Sequence, residues 1–154
     1  MYKFNIKNLK LDINEQLKQE LLALRQFEFE NERGGVILGK LYPQDNMIEI
    51  THFFESKLLE STECELSLDI DFLQENIERI WKDSNGQITY LGDWHTHPQC
   101  QAKPSWIDLK TFFINYYKST VGQNFLLYLI VGKEKNWFRS FDGLKFYEIK
   151  LQKE

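Results

Sequence analysis

Two cysteines, three histidines and three prolines are all that this 154-residue sequence holds of those residue types. Two cysteines, Cys64 and Cys100, make no disulfide framework and suit a reducing, cytoplasmic setting. No Pro-, Gly- or Ser-rich tract marks a linker and no segment repeats, so residues 1–154 are expected to form a single domain. Long apolar runs are missing too. FLLYLIV at 125–131 is among the longest, far short of the roughly 20 residues a membrane helix needs. The opening stretch MYKFNIKNLKLDIN lacks the apolar core of a signal peptide. Positive charge is scarce, with 19 Lys and Arg against 23 Asp and Glu for a net charge of −4. That balance argues against a nucleic-acid partner, which calls for a basic face. What is present is a composition 42% hydrophobic and 15% aromatic, enough to build a globular core.

Periodicity gives a coarse map. Leu17, Leu21 and Leu24 recur at helical spacing and predict a helix over 14–26. GGVILGKLY at 34–42 and MIEITHFF at 47–54 read as a hairpin around the turn PQDN, with Ile48, Ile50, His52 and Phe54 on one side. ECELSLD at 63–69 alternates as a strand with Cys64, Leu66 and Leu68 inward. Phe72, Leu73, Ile77, Ile80 and Trp81 make one helical face that ends at SNG, 84–86. QITYLGDWH at 87–95 is a strand and 104–118 a helix with Phe112 and Tyr116 on one side. Segments 124–132, 136–143 and 144–151 are strands, the last two joined at Asp142–Gly143. The expected fold is therefore α/β or α+β mixed, with about seven strands and about three helices.

The chemistry concentrates in GDWHTHPQCQAKPSWIDL at 92–109. His95 and His97 are two apart on a strand or strand end, so both imidazoles point to one side. Asp108 falls in the first turn of the following helix, which a seven-residue loop folds back towards the strand. Two neutral nitrogens and one carboxylate suit catalytic zinc, with the fourth position left to water. Such a site also needs a general base. Glu32 opens NERGGVILGKL, where glycines at 34, 35 and 39 let backbone approach closely; Glu28 and Glu30 are alternatives that alternate with Phe27 and Phe29. Ser105 is a candidate hydroxyl donor to an oxyanion.

H-x-H, seven residues, then S-x-x-D resembles the signature of the JAMM (JAB/MPN/Mov34) metalloprotease family. Glu32, Gly35 and Gly39 match its upstream E-x-x-G-x-x-x-G. The resemblance covers the whole chain as a minimal JAB/MPN-like domain, and it implies a mixed sheet flanked by helices, a cytidine-deaminase-like sandwich. It implies one Zn2+ held by His95, His97 and Asp108, with Glu32 as base and acid and Ser105 stabilising the oxyanion. The GDWHTHP lead-in resembles the short bacterial JAB proteins associated with E1/E2-like conjugation systems, including antiphage CBASS operons. The implied substrate is the C-terminal tail of a ubiquitin-like or conjugated protein, bound as an added strand along the hairpin edge or the motif strand. Only the stretches around 55–63 and 98–104 have room to grip a protein body.

Plainer readings stand beside these. S-x-x-D is also a capping box, and the two roles are compatible. His52 reads as a satisfied histidine at the core edge. Cys100 reads as a loop residue and Cys64 as core. Trp94 and Trp106 flank the site, where packing is the commoner use of an aromatic and a substrate groove the rarer one. A non-catalytic MPN-type scaffold is disfavoured because every ligand is kept. A DNA-repair-associated JAB-like protein is disfavoured by the acidic balance. An amidohydrolase barrel needs about 250 residues and does not fit.

Overall fold

The computed structural model describes residues 2–24, 32–61, 66–97 and 103–149. In chain order the elements are β1 (Lys10–Ile13), α1 (Glu15–Ala23), β2 (Gly34–Tyr42), β3 (Met47–Glu55), β4 (Leu58–Ser61), β5 (Leu66–Leu68), α2 (Ile70–Asp83), β6 (Thr89–Thr96), α3 (Trp106–Lys118), β7 (Leu126–Val131), β8 (Trp137–Phe141) and β9 (Phe146–Glu148). Seven strands form one mixed sheet in the order β1-β3-β2-β6-β7-β8-β9. Its pairs are antiparallel except β1–β3 and β6–β7, which run parallel.

Period-two alternation in the central strands separates two faces. Ile37, Leu127, Leu129 and Trp94 bury against Leu17, Leu21 and Leu24 of the first helical segment. Leu126, Tyr128 and Ile130 turn the other way, onto Phe112 of α3. Val36 and Leu38 face Leu73 and Ile80 of α2 on that same side. The sheet therefore has α1 on one face and α2 with α3 on the other.

The α/β class holds, and several details differ from expectation. The central sheet has seven strands, but the segment at 63–69 is not among them. Its described part, β5, pairs with β4 in a separate two-stranded sheet. The seventh place goes to β1, a four-residue strand that buries Leu11 and Ile13. The strand expected over 144–151 is the shorter Phe146–Glu148. Within the hairpin a β-bulge shifts the register so that Ile50 lies opposite Gly39 and His52 opposite Leu38. Thr51 is the extra residue, and the alternation inverts there. Phe53 rather than Phe54 joins Ile48 and Ile50, while Phe54 packs on Phe72 with ring centroids 5.9 Å apart. Trp81, expected on the buried face of α2, is half exposed and lies over the turn at Gly86.

Candidate active site

The site begins with backbone register. Gly34 of β2 lies opposite His95 of β6. One step further, the Thr96 N–H donates to the Arg33 carbonyl at 2.9 Å and the Arg33 N–H to Thr96 Oγ1 at 2.9 Å. The next pair in line is Glu32 and His97, and Glu32 Oε1 stands 3.4 Å from His97 Nε2. Arg33 is drawn away from the centre by a bidentate pair with Glu55, 2.9 and 2.5 Å. The His97 N–H donates to the Val131 carbonyl at 3.0 Å, which ties the end of the motif segment to β7. Gly92 supports the same alignment, because a Cβ there would lie 1.8 Å from the Leu127 carbonyl oxygen.

The third candidate ligand arrives on α3. Ser105 is its N-cap, accepting from the Asp108 N–H at 3.1 Å, while the Ser105 N–H donates to Asp108 Oδ2 at 2.8 Å. The capping box is complete. It fixes Asp108 with Oδ1 3.5 Å from His95 Nε2 and Oδ2 3.4 Å from His97 Nε2. Ser105 Oγ uses a lone pair in the cap, so its own proton stays free to donate elsewhere. The sequence-predicted set of Glu32, His95, His97, Ser105 and Asp108 is thus brought together.

The donor set fits a cation. The two Nε2 atoms of His95 and His97 face each other at 3.0 Å. Tetrahedral zinc with bonds of about 2.0–2.1 Å puts neighbouring ligand atoms about 3.3 Å apart, close to the 3.0, 3.4 and 3.5 Å found among His95, His97 and Asp108. Among the described residues these three form the group able to hold a metal ion. Burial lowers the pKa of His95, partly opposed by Asp108, and so favours the neutral imidazole a metal needs. Burial pushes the Asp108 carboxyl up, but hydrogen bonds from His95, His97 and the Ser105 backbone outweigh it and hold Asp108 far below the usual carboxylate range. Glu32 is only 4% exposed, a carboxylate kept out of water beside the imidazoles.

The remaining candidates fall away from this centre. His52 is half-buried on β3, with Nδ1 2.8 Å from Thr51 Oγ1, and its pKa is lowered by burial. It lies opposite Leu38 rather than on the Ile48 face expected for it. Trp94 is core at 1% exposure, whereas Trp106 is 80% exposed on the first turn of α3. Glu28, Glu30, Cys64 and Cys100 lie outside the described residues. Sequence reasoning passed over Asp93. Burial pushes its carboxyl up to about 7, against hydrogen bonds from Tyr90 and Asn115. The alternation that aligns His95 and His97 also puts Asp93 on their face, so a signal was there to read.

An α/β/α layering brings two imidazoles, a carboxylate and a buried acid to one sheet end, a donor set of the kind that metal-dependent proteins use to hold a divalent cation. The chain belongs to the prokaryotic homologs of the JAB domain, which match it over residues 14–142, and so to the JAB-type peptidases of the metalloprotease class. It is 30% identical over 128 residues to a "CD-NTase/cGAS isopeptidase" of Escherichia coli (strain TW11681), covering 81% of this chain and 78% of that one. It is 36% identical over 80 residues to "Probable metalloprotease y4qB" of Sinorhizobium fredii, covering 50% and 48%. The solution structure of protein DSY2949 from Desulfitobacterium hafniense shares the fold, with a TM-score of 0.65 at 22% identity over 94% of each chain.

Proposed function

We propose that this protein is a zinc-dependent isopeptidase that cuts the amide bond after the C-terminal tail of a ubiquitin-like or conjugated protein. It would thereby reverse the work of an E1/E2-like system in a bacterial antiphage, CBASS-like setting. The observation that carries the reading is the convergence of His95, His97 and Asp108 with Glu32 beside them. The name of the Escherichia coli relative, a CD-NTase/cGAS isopeptidase, supports a conjugated CD-NTase as the kind of target.

In this reading His95 and His97, as neutral imidazoles, and the Asp108 carboxylate hold the ion. Zinc bound there supplies a Lewis acid and lowers the pKa of an attacking water towards ~7. Glu32, beside that centre, would take a proton from the attacking water and return it to the leaving amine. Its burial keeps competing solvent away from the carboxylate. Ser105, held by its cap, turns its free O–H to the oxyanion of the tetrahedral carbon.

The tail needs an open strand edge. The motif strand cannot offer one, because β6 is paired on both sides, by β2 and β7. This corrects one of the two docking positions expected from sequence. The outer edge of β3 remains a candidate: among the described strands it pairs with β1 only over Met47–Ile50.

The test uses the purified protein with ubiquitin-like conjugates and linear fusions, with and without chelator, the cut site being read by mass. Cleavage after the tail that chelator abolishes supports the reading. Glu32→Gln should keep zinc and lose cleavage, and full activity in that variant would show that the base lies elsewhere.

A further inference from the structure

Two rows of side chains meet between β6 and α3. On the strand they are Asp93, His95 and His97, spaced by two. On the helix they are Asn115, Phe112 and Asp108, spaced by three and four in the opposite direction. A strand advances about 6.6 Å per two residues and a helix about 4.5–6 Å per three or four, so the rows nearly keep step. The Asn115 amide donates to Asp93 at one end. The His95 and Phe112 rings lie 6.2 Å apart in the middle. Asp108 reaches His95 and His97 at the other end, at 3.5 and 3.4 Å. Tyr90 closes the far end: its hydroxyl donates to Asp93 Oδ1 at 2.9 Å and accepts from Asn115 Nδ2 at 3.1 Å. Each Asp93 oxygen thus accepts one bond, and the Asn115 amide nitrogen serves both acceptors.

The middle contact is largely apolar: Phe112 stacks on Tyr128 with centroids 4.1 Å apart. Stacking of this kind is non-directional, and the Tyr128 hydroxyl also donates to the Phe112 carbonyl at 3.0 Å, which fixes one point of the helix and leaves its rotation about that point to bonds elsewhere. The Tyr90–Asp93–Asn115 bonds are directional. With side-chain tips about 6 Å from the helix axis, a rotation of about 10° moves the Asp108 carboxylate by about 1 Å. Metal sites hold their ligand distances to about 0.2 Å.

We infer that Tyr90, Asp93 and Asn115 are positioning residues for the metal centre: their hydrogen-bonded triad sets the rotation and register of α3 on β6, and so delivers Asp108 to His95 and His97. This rests on the zinc reading above and adds the device that assembles the site from two elements.

The test measures zinc affinity by competition with a chromophoric chelator, and the visible absorption of the cobalt-substituted protein as a report of coordination geometry. Asp93→Asn and Asn115→Ala should each weaken zinc binding roughly 10–100-fold, the range seen when outer partners of metal ligands are removed, and should alter the cobalt spectrum. The double variant Asp93→Asn/Asn115→Asp exchanges acceptor and donor, so the amide at 93 donates to the carboxylate at 115, and it should recover both readouts. Asn14→Ala, a cap of α1 far from the site, serves as a control that loses stability without losing affinity. Where Asp93→Asn does not fold, Tyr90→Phe, which removes one hydroxyl, is read in the same way. Folded triad variants that bind zinc as tightly as the parent with an unchanged cobalt spectrum would overturn the inference. A parent protein whose zinc binding survives His95→Ala would instead overturn the zinc reading itself.

Discussion

Single side chains carry the chemistry, and two of them separate a structural role from a functional one. His97 is nearly buried, between Glu32 and Asp108 at 3.4 Å each. On the proposed reading, replacing it with Ala removes a ligand and leaves two carboxylates facing an apolar gap. Metal content and cleavage should vanish together in His97→Ala; full metal occupancy by elemental analysis would refute the ligand assignment. Ser105 is harder, because its hydroxyl caps α3 whatever else it does. Ser105→Ala should cost about 1 kcal/mol of stability from the lost cap. If the hydroxyl also serves the oxyanion, kcat should fall on the order of 10²-fold. A lowered melting temperature with an unchanged rate would leave Ser105 the cap alone.

At the scale of elements, the site depends on how closely β6 lies against its neighbours. Gly92 leaves no room for a methyl group before the Leu127 carbonyl. Gly92→Ala must push β6 from β7, the strand that also receives the His97 N–H. Overpacking of this kind costs about 1–3 kcal/mol or more. The variant should therefore melt lower, and it should lose zinc affinity as well, since His95 and His97 move with the strand. A drop in melting temperature with unchanged affinity would show that the ligand geometry survives strand displacement. The helix α3 contributes differently. It buries Phe112, packs Leu109 and Tyr116 against the same cluster and exposes Trp106, Ile107 and Tyr117, so apolar packing holds it to the sheet while hydrogen bonds at Asp108 and Asn115 tie its two ends.

For the whole molecule, the proposed site draws on β6, on α3 and on Glu32 just before β2, so metal bound there would make binding and folding one equilibrium. A ligand at 100 times its dissociation constant adds about 2.7 kcal/mol. In a protein of this size each 1 kcal/mol moves the melting temperature by roughly 2–4 °C. Zinc should raise it by about 5–10 °C, chelator should reverse the rise, and His95→Ala should show no rise. Calorimetry with and without the ion decides it. Among the described residues no helix is long and apolar enough to cross a membrane.

The sequence by itself determined the α/β class, the three helices and the spacing that puts His95, His97, Ser105 and Asp108 within one motif. Those features are written in local spacing: leucines at 17, 21 and 24, histidines two apart, a serine three before an acid. Local spacing fails where a partner strand decides. The Thr51 bulge inverts a face that strict alternation had assigned. The four residues of β1 become a strand only because β3 has an edge to offer. The β5 segment leaves the main sheet to pair with β4. Above all, nothing in the order of residues says that Asn115 meets Asp93. That contact spans 22 positions and exists only once α3 lies over β6. Periodicity chooses which side chains share a face; tertiary packing chooses what that face meets.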